Sequence, residues 1–194
     1  MRSGASLSVK HDQVPDHELD DFVAFATELA DAAHAMLAPA GRWRPETTVK
    51  ADRSFVTAFD IEIERRLRAM IADRYPSHGI LGEEGQAKDA NAEFVWVLDP
   101  IDGTAPFIAG APVYGTLIAL AHARIPVIGV IDQAATDDRW IGARGRPTRH
   151  SHGTCARGVA RRDSVADLRH GVHGLWTSRL RAHGCRARHR LQGP

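Results

Sequence analysis

The order of its periodic segments constrains this chain more than any other feature. Two helix-length repeats come first, and a run of short strand-like segments follows. From Asp16 to Ala38, residues Leu19, Phe22, Val23, Ala26, Leu29, Ala33, Met36 and Leu37 recur at three- and four-residue steps, the spacing of one buried helix face. Pro39 and Gly41 close that segment. A second helix is expected from about Ala58 to Arg74, with Thr57 as its N-cap and Ile63, Leu67, Met70 and Ile71 facing inward. Strand-like runs follow at Gly79 to Leu81, Phe94 to Leu98, Tyr114 to Ala121, Val127 to Ile131 and Arg139 to Ile141, bounded by Gly, Pro, Asp and Asn. Lys50 to Val56 reads as short and extended, and Arg124-Ile125-Pro126 is short enough to join two strands as a hairpin. Helices before strands, rather than alternating with them, predict an α+β fold with two helices packed on an antiparallel sheet.

Composition divides the chain. Residues 1–143 carry 13 Lys and Arg against 22 Asp and Glu, whereas residues 144–194 carry 12 Arg, no Lys and 2 Asp. The last 51 residues also hold 7 Gly and 6 His, with no Ile, Phe, Tyr or Met to build a core. Three regions are therefore expected: a flexible start over 1–15, a folded domain over 16–147, and an Arg/His/Gly-rich, poorly ordered tail over 148–194. No run approaches the roughly 18 apolar residues of a membrane span. The first residues lack the apolar core of a secretory signal, so a cytoplasmic location is expected. Cys155 and Cys185 fit no zinc or redox spacing.

The residues with chemical potential sit at strand ends. In Val97-Leu98-Asp99-Pro100-Ile101-Asp102-Gly103-Thr104 an apolar strand runs into a carboxylate, and Pro100 keeps Asp99 out of helical geometry. Asp102 follows within a tight turn, Gly103 permits close backbone approach, and Thr104 can open a short helix whose free amides suit a phosphate. A second acidic site, Gly82-Glu83-Glu84-Gly85, follows the apolar Gly79-Ile80-Leu81 directly. Carboxylates with carbonyl oxygens are hard donors, suited to magnesium, manganese or calcium. Each segment alone also reads as a solvated turn. Thr57 and Asp60 likewise have capping-box spacing, which would explain them structurally.

Taken together, Lys50-Ala51-Asp52 through Val56-Thr57 and Asp60, then Tyr75 to Glu84, then Trp96 to Thr104, resemble the inositol monophosphatase superfamily in order and spacing. Phe107 to Gly110, Gly115 to Leu120 and Gly129 to Gln133 look like its histidinol-phosphatase branch. The resemblance covers about residues 15–147. It implies that Glu83, Asp99 and the Ile101 carbonyl bind a first metal ion, and that Asp99 and Asp102 hold a second. It also implies that the Gly103 and Thr104 amides, next to Asp102, contact the substrate phosphate. Asp60 would hydrogen-bond Thr104, and that pair, with Glu83, would orient the attacking water. The implied cofactor is Mg2+, two or three ions in intact members and fewer here. The implied substrate is a small phosphorylated alcohol, L-histidinol phosphate first and myo-inositol monophosphate second. No Cys or His nucleophile motif competes with that chemistry. Relatives are commonly homodimers, and neither nucleic acid nor membrane is an expected partner.

The pattern departs from the family in three places. Arg53 and Phe55 stand where a small residue and a proline are usual, and Ala105-Pro106 replaces the more usual Arg-Ser. Proline is tolerated in a first helical turn. After Thr148 nothing resembles the second α/β domain, with its additional metal-binding aspartate. The switch to Arg, Gly, Ala and His looks like a high-GC gene read out of frame. Two further function classes stay open at this point: an inactive, weakly metal-binding remnant, and a basic nucleic-acid arm in residues 144–194.

Overall fold

The computed structural model describes residues 14–38, 47–49 and 55–152. The expectations for residues 1–13, for Lys50, Asp52 and Arg53, and for residues 153–194 lie outside those described. In chain order the elements are α1 (Asp16–Leu37), β1 (Thr47–Val49), β2 (Phe55–Thr57), α2 (Ala58–Arg74), β3 (Gly79–Leu81), β4 (Phe94–Asp102), α3 (Thr104–Ala109), β5 (Gly115–His122), β6 (Ile125–Gln133), β7 (Asp138–Ala143) and β8 (Arg149–His152). This is an α+β fold. Among the described residues no helix is long and apolar enough to cross a membrane.

β3 to β8 form one six-stranded sheet in sequence order, and β1 and β2 pair separately as an antiparallel ribbon. Side-chain alternation gives that sheet two apolar faces. Trp96, Leu98, Ile118, Leu120 and Val130 point to the side where α1 brings Phe22, Phe25, Leu29 and Ala33, and α2 brings Ile63, Leu67 and Ile71. Val95, Val97, Leu117, Ala119 and Ala121 belong to a smaller cluster with Leu81 on the other side. Burying each large apolar side chain contributes about 1.5–3 kcal/mol, so the first cluster dominates stability. α2 starts where the sequence says it should: Thr57 accepts the amides of Phe59 and Asp60, while Asp60 Oδ2 accepts the Thr57 amide at 2.7 Å.

Two expectations need correction. The sheet is mixed, because β3 pairs with β4 in parallel while every other pair is antiparallel. The segment between β3 and β4 is too long for a hairpin; it folds back instead, and Ile80 and Lys88 exchange amide hydrogen bonds at 2.8 and 2.9 Å. The tail is also not irregular from its first residues, since Arg149–His152 pairs with β7. Polar groups hold that edge. Asp138 Oδ1 lies 2.9 Å from both His150 Nε2 and His152 Nδ1, and His150 stacks on Trp140 at 4.8 Å. Arg146, in the β7–β8 turn, reaches Asp20 and the Asp16 carbonyl on α1.

The β5–β6 turn is tighter than expected, formed by Ala123 and Arg124, both at positive φ (47° and 68°). Two-residue hairpin turns of the primed type demand that geometry, and an alanine Cβ pays a steric penalty for it. Ala123→Asn is expected to stabilise the chain by about 0.5–1 kcal/mol, read as a raised urea midpoint at unchanged slope.

An aromatic cluster ties α1 to the sheet, with Phe22 meeting Tyr75, His78 and Phe94 at 5.3, 5.6 and 5.0 Å. Tyr75, His78 and Phe94 lie face to face, with centroid separations of 4.6 and 5.0 Å, and the Trp96 indole donates to His78 Nδ1 at 3.1 Å. That nitrogen must stay unprotonated to accept. Burial holds the His78 pKa down to about 4, from 6.5. An unfolded chain takes up this proton near pH 6.5, so the stabilisation is complete above that pH. It is lost progressively as pH falls towards 4, by about 3 kcal/mol in all. Urea unfolding between pH 7 and 4.5 should show the decline. His78→Asn, which keeps an acceptor but cannot titrate, should flatten it.

Candidate metal and phosphate site

Parallel pairing of β3 and β4 is what brings the acidic segments to one end of the sheet. Leu81 is registered with Val97. Glu83 and Asp99 each lie two residues further on, so both sit towards the carboxyl-terminal side of adjacent parallel strands, Glu83 just past β3 and Asp99 still within β4. Asp99 is buried, at 6% exposure, and is still paired with Leu117 of β5. The ladder then slips between Asp99 and Asp102, where Pro100 has no amide to contribute. Two hydroxyls brace the irregularity. Thr116 donates to the Pro100 carbonyl at 2.8 Å, and Thr104 donates to the Ile101 carbonyl at 3.0 Å.

The chain reverses at Gly103, whose φ of 89° belongs to the left-handed region. A Cβ there would lie 3.0 Å from the Val113 carbonyl oxygen, so glycine is required on both counts. α3 begins at once and survives Pro106 in its first turn. Phe107 anchors it, meeting Phe59 of α2 edge-on at 6.0 Å and Tyr114 at 4.9 Å. The amides at the start of the first turn have no partner within the helix.

Electrostatics joins the three acidic segments. Desolvation by burial raises the Asp60 carboxyl above its ordinary range; hydrogen bonds from Thr57 oppose this, and the negative charge of Glu83 adds to it. Partial desolvation raises Asp102 too, and Glu83 again adds to the rise. Glu83 therefore repels both Asp60, on α2, and Asp102, at the end of β4.

Not every expected contact is present. Asp60 Oδ2 accepts the Thr57 amide and hydroxyl, at 2.7 and 2.6 Å, and the Thr104 hydroxyl goes to Ile101. The expected Asp60–Thr104 hydrogen bond is not formed, because the Thr104 hydroxyl donates to the Ile101 carbonyl instead. Among the described residues, no group of three His, Cys, Asp or Glu side chains stands ready to hold a metal ion. The donor types nevertheless fit a hard divalent cation: carboxylates and a peptide carbonyl, with like-charge crowding on Asp102 that a cation would relieve.

Two residues that sequence reasoning missed also belong here. Thr116 fixes the bulge, and nothing in the sequence distinguishes it from any strand threonine. Glu64 is 1% exposed and accepts the Glu84 and Gly85 amides. Its signal was a glutamate placed between the inward-facing Ile63 and Leu67.

A model of the inositol monophosphatase family matches residues 18–180, past residue 147 where the motif resemblance stops. The chloroplastic bifunctional phosphatase IMPL2 of Arabidopsis thaliana is 44% identical over 139 residues, covering 71% of this chain and 40% of that protein. The histidinol-phosphatase of Mycobacterium tuberculosis is 39% identical over 97 residues, covering 50% of this chain and 37% of that one. A solved inositol monophosphatase from Zymomonas mobilis superposes with a TM-score of 0.58 at 39% identity, covering 69% of this chain and 51% of that structure. The chain thus spans about two-fifths of these curated relatives. The fold, the order of its motifs and the family match agree: this chain belongs to the inositol monophosphatase family.

Proposed function

We propose that this chain is a magnesium-dependent phosphomonoesterase acting on a small phosphorylated alcohol, with L-histidinol phosphate as first choice. One observation carries the reading. Two adjacent parallel strands deliver Glu83 and Asp99 to one end of the sheet, where the charge of Glu83 reaches both Asp60 and Asp102. The likeness to a histidinol-phosphatase supports the choice of alcohol.

In this reading Glu83, Asp99, Asp102 and the Ile101 carbonyl hold divalent cations; that carbonyl keeps a second lone pair beyond its bond to Thr104. When bound, such cations offset the phosphate dianion and stabilise the departing alkoxide. The Gly103 and Thr104 amides receive phosphate oxygens at the start of α3. In the same reading Glu83 and Thr104, with Asp60, orient the attacking water.

Phosphate release from L-histidinol phosphate and myo-inositol monophosphate, with Mg2+ and with chelator, tests this. A higher kcat/KM for histidinol phosphate, abolished by chelation, is expected. Preference for the inositol ester would move the substrate assignment to myo-inositol monophosphate. A second reading, a family member that binds cations weakly without turnover, is favoured by the lack, among the described residues, of a ready-made three-residue metal cluster. It gains if neither ester is hydrolysed at any Mg2+ concentration.

A further inference from the structure

The segment carrying Glu83 is gripped from below by a buried ion pair. Glu64 on α2 accepts the Glu84 amide through Oε2 at 2.7 Å and the Gly85 amide through Oε1 at 2.8 Å. Its Oε1 also accepts from Arg68 Nε at 2.6 Å, one helical turn along. Glycines flank the two loop glutamates because this pair leaves no room for a side chain. A Cβ on Gly82 would come within 2.0 Å of Glu64 Oε1 and 2.6 Å of Arg68 Nη2. One on Gly85 would come within 2.8 Å of Glu64 Oε1 and 2.9 Å of Arg68 Nε. Gly82-Glu83-Glu84-Gly85 therefore lies directly on the Glu64–Arg68 pair, with the backbone after Glu83 fixed by two charge-assisted hydrogen bonds.

We propose that Glu64, oriented by Arg68, is a positioning residue: it sets where the Glu83 carboxylate stands and thereby tunes divalent-cation affinity at the site. This rests on the reading of Glu83 as a cation ligand. Glu64 is not itself a ligand, since its oxygens are already engaged by two amides and a guanidinium. Groups that orient ligands in this way typically change metal affinity about 10- to 100-fold when altered. Glu64→Gln keeps the shape but turns an NH2 group against one of its donors, so one of these bonds becomes a repulsion. Gly85→Ala keeps both residues of the ion pair but sets a Cβ against them, so the loop and the pair must part.

Mn2+ binding to the full chain, followed by the electron paramagnetic resonance signal of the free ion, distinguishes the possibilities. Thermal melting confirms that each variant is folded at the assay temperature. Glu83→Gln should remove most of the binding. Glu64→Gln and Gly85→Ala should each weaken it about 10-fold or more while remaining folded. A purely structural Glu64 would lower the melting temperature and leave the Mn2+ affinity of the folded chain unchanged, which overturns the proposal. Gly85→Ala decides the matter if Glu64→Gln does not fold. Loss of binding in Glu83→Gln alone keeps the site reading and rejects the positioning role. If Glu83→Gln has no effect, or the unsubstituted chain binds no Mn2+, the site reading fails and the positioning role fails with it.

Discussion

Asp99→Asn is expected to lower phosphate release from L-histidinol phosphate about 1000-fold at high Mg2+, with the chain still folded. Asn matches Asp in volume, so the packing at the end of β4 changes little. Asp99 is buried at 6% exposure, and exchanging a buried charge for an amide removes a desolvation cost instead of adding one. What disappears is a full negative charge from the set proposed to hold the cations. Cation stabilisation of transferring phosphate is worth several kcal/mol, and about 4 kcal/mol corresponds to three decades in rate. Steady-state kinetics with a parallel thermal melt checks both halves. A rate within a few-fold of the unsubstituted chain would remove Asp99 from the chemistry.

The largest stability effect is expected on the other side of the sheet, at Arg139. Asp132 on β6 is 1% exposed, and its charge is met by Arg139 Nε at 2.6 Å and His34 Nδ1 at 2.9 Å. The same guanidinium reaches Asp31, so a single network fastens α1 to β6 and β7. Removing one partner from a buried ion pair leaves the other uncompensated, typically at a cost of about 3–5 kcal/mol. Arg139→Met should therefore lose about that much in urea unfolding, a large share of the roughly 5–15 kcal/mol available to a domain. Adding Asp132→Leu should recover a substantial part, because the stranded charge is gone. A loss below about 1 kcal/mol in the single variant would mean that water replaces the guanidinium.

Much of the fold was legible because burial leaves periodic traces. α2 runs from Ala58 to Arg74 as its apolar spacing and capping box implied, and β3 occupies the expected Gly79–Leu81. Elements held by polar contacts left no such trace. β8 is Arg-His-Ser-His, and its side chains are held by Asp138 and Trp140 on β7, more than eight residues earlier in the chain. Strand direction was equally hidden, since alternation says which face a residue occupies and not which way its neighbour runs. That missing direction matters at the site, because only parallel pairing puts Glu83 and Asp99 at the same end. Glu64 shows a different limit. A glutamate four residues before an arginine usually marks a solvated helix face. Here the same spacing places a buried clamp beneath a loop 20 residues away.

The most direct test of the central claim is a crystal structure of the chain soaked in Mn2+, with anomalous difference density locating the ion. The expected result is a peak between the carboxylates of Glu83, Asp99 and Asp102, close to the start of α3. Density only at Asp138, His150 and His152, or no ordered ion with those three carboxylates facing separate regions of solvent, would contradict it.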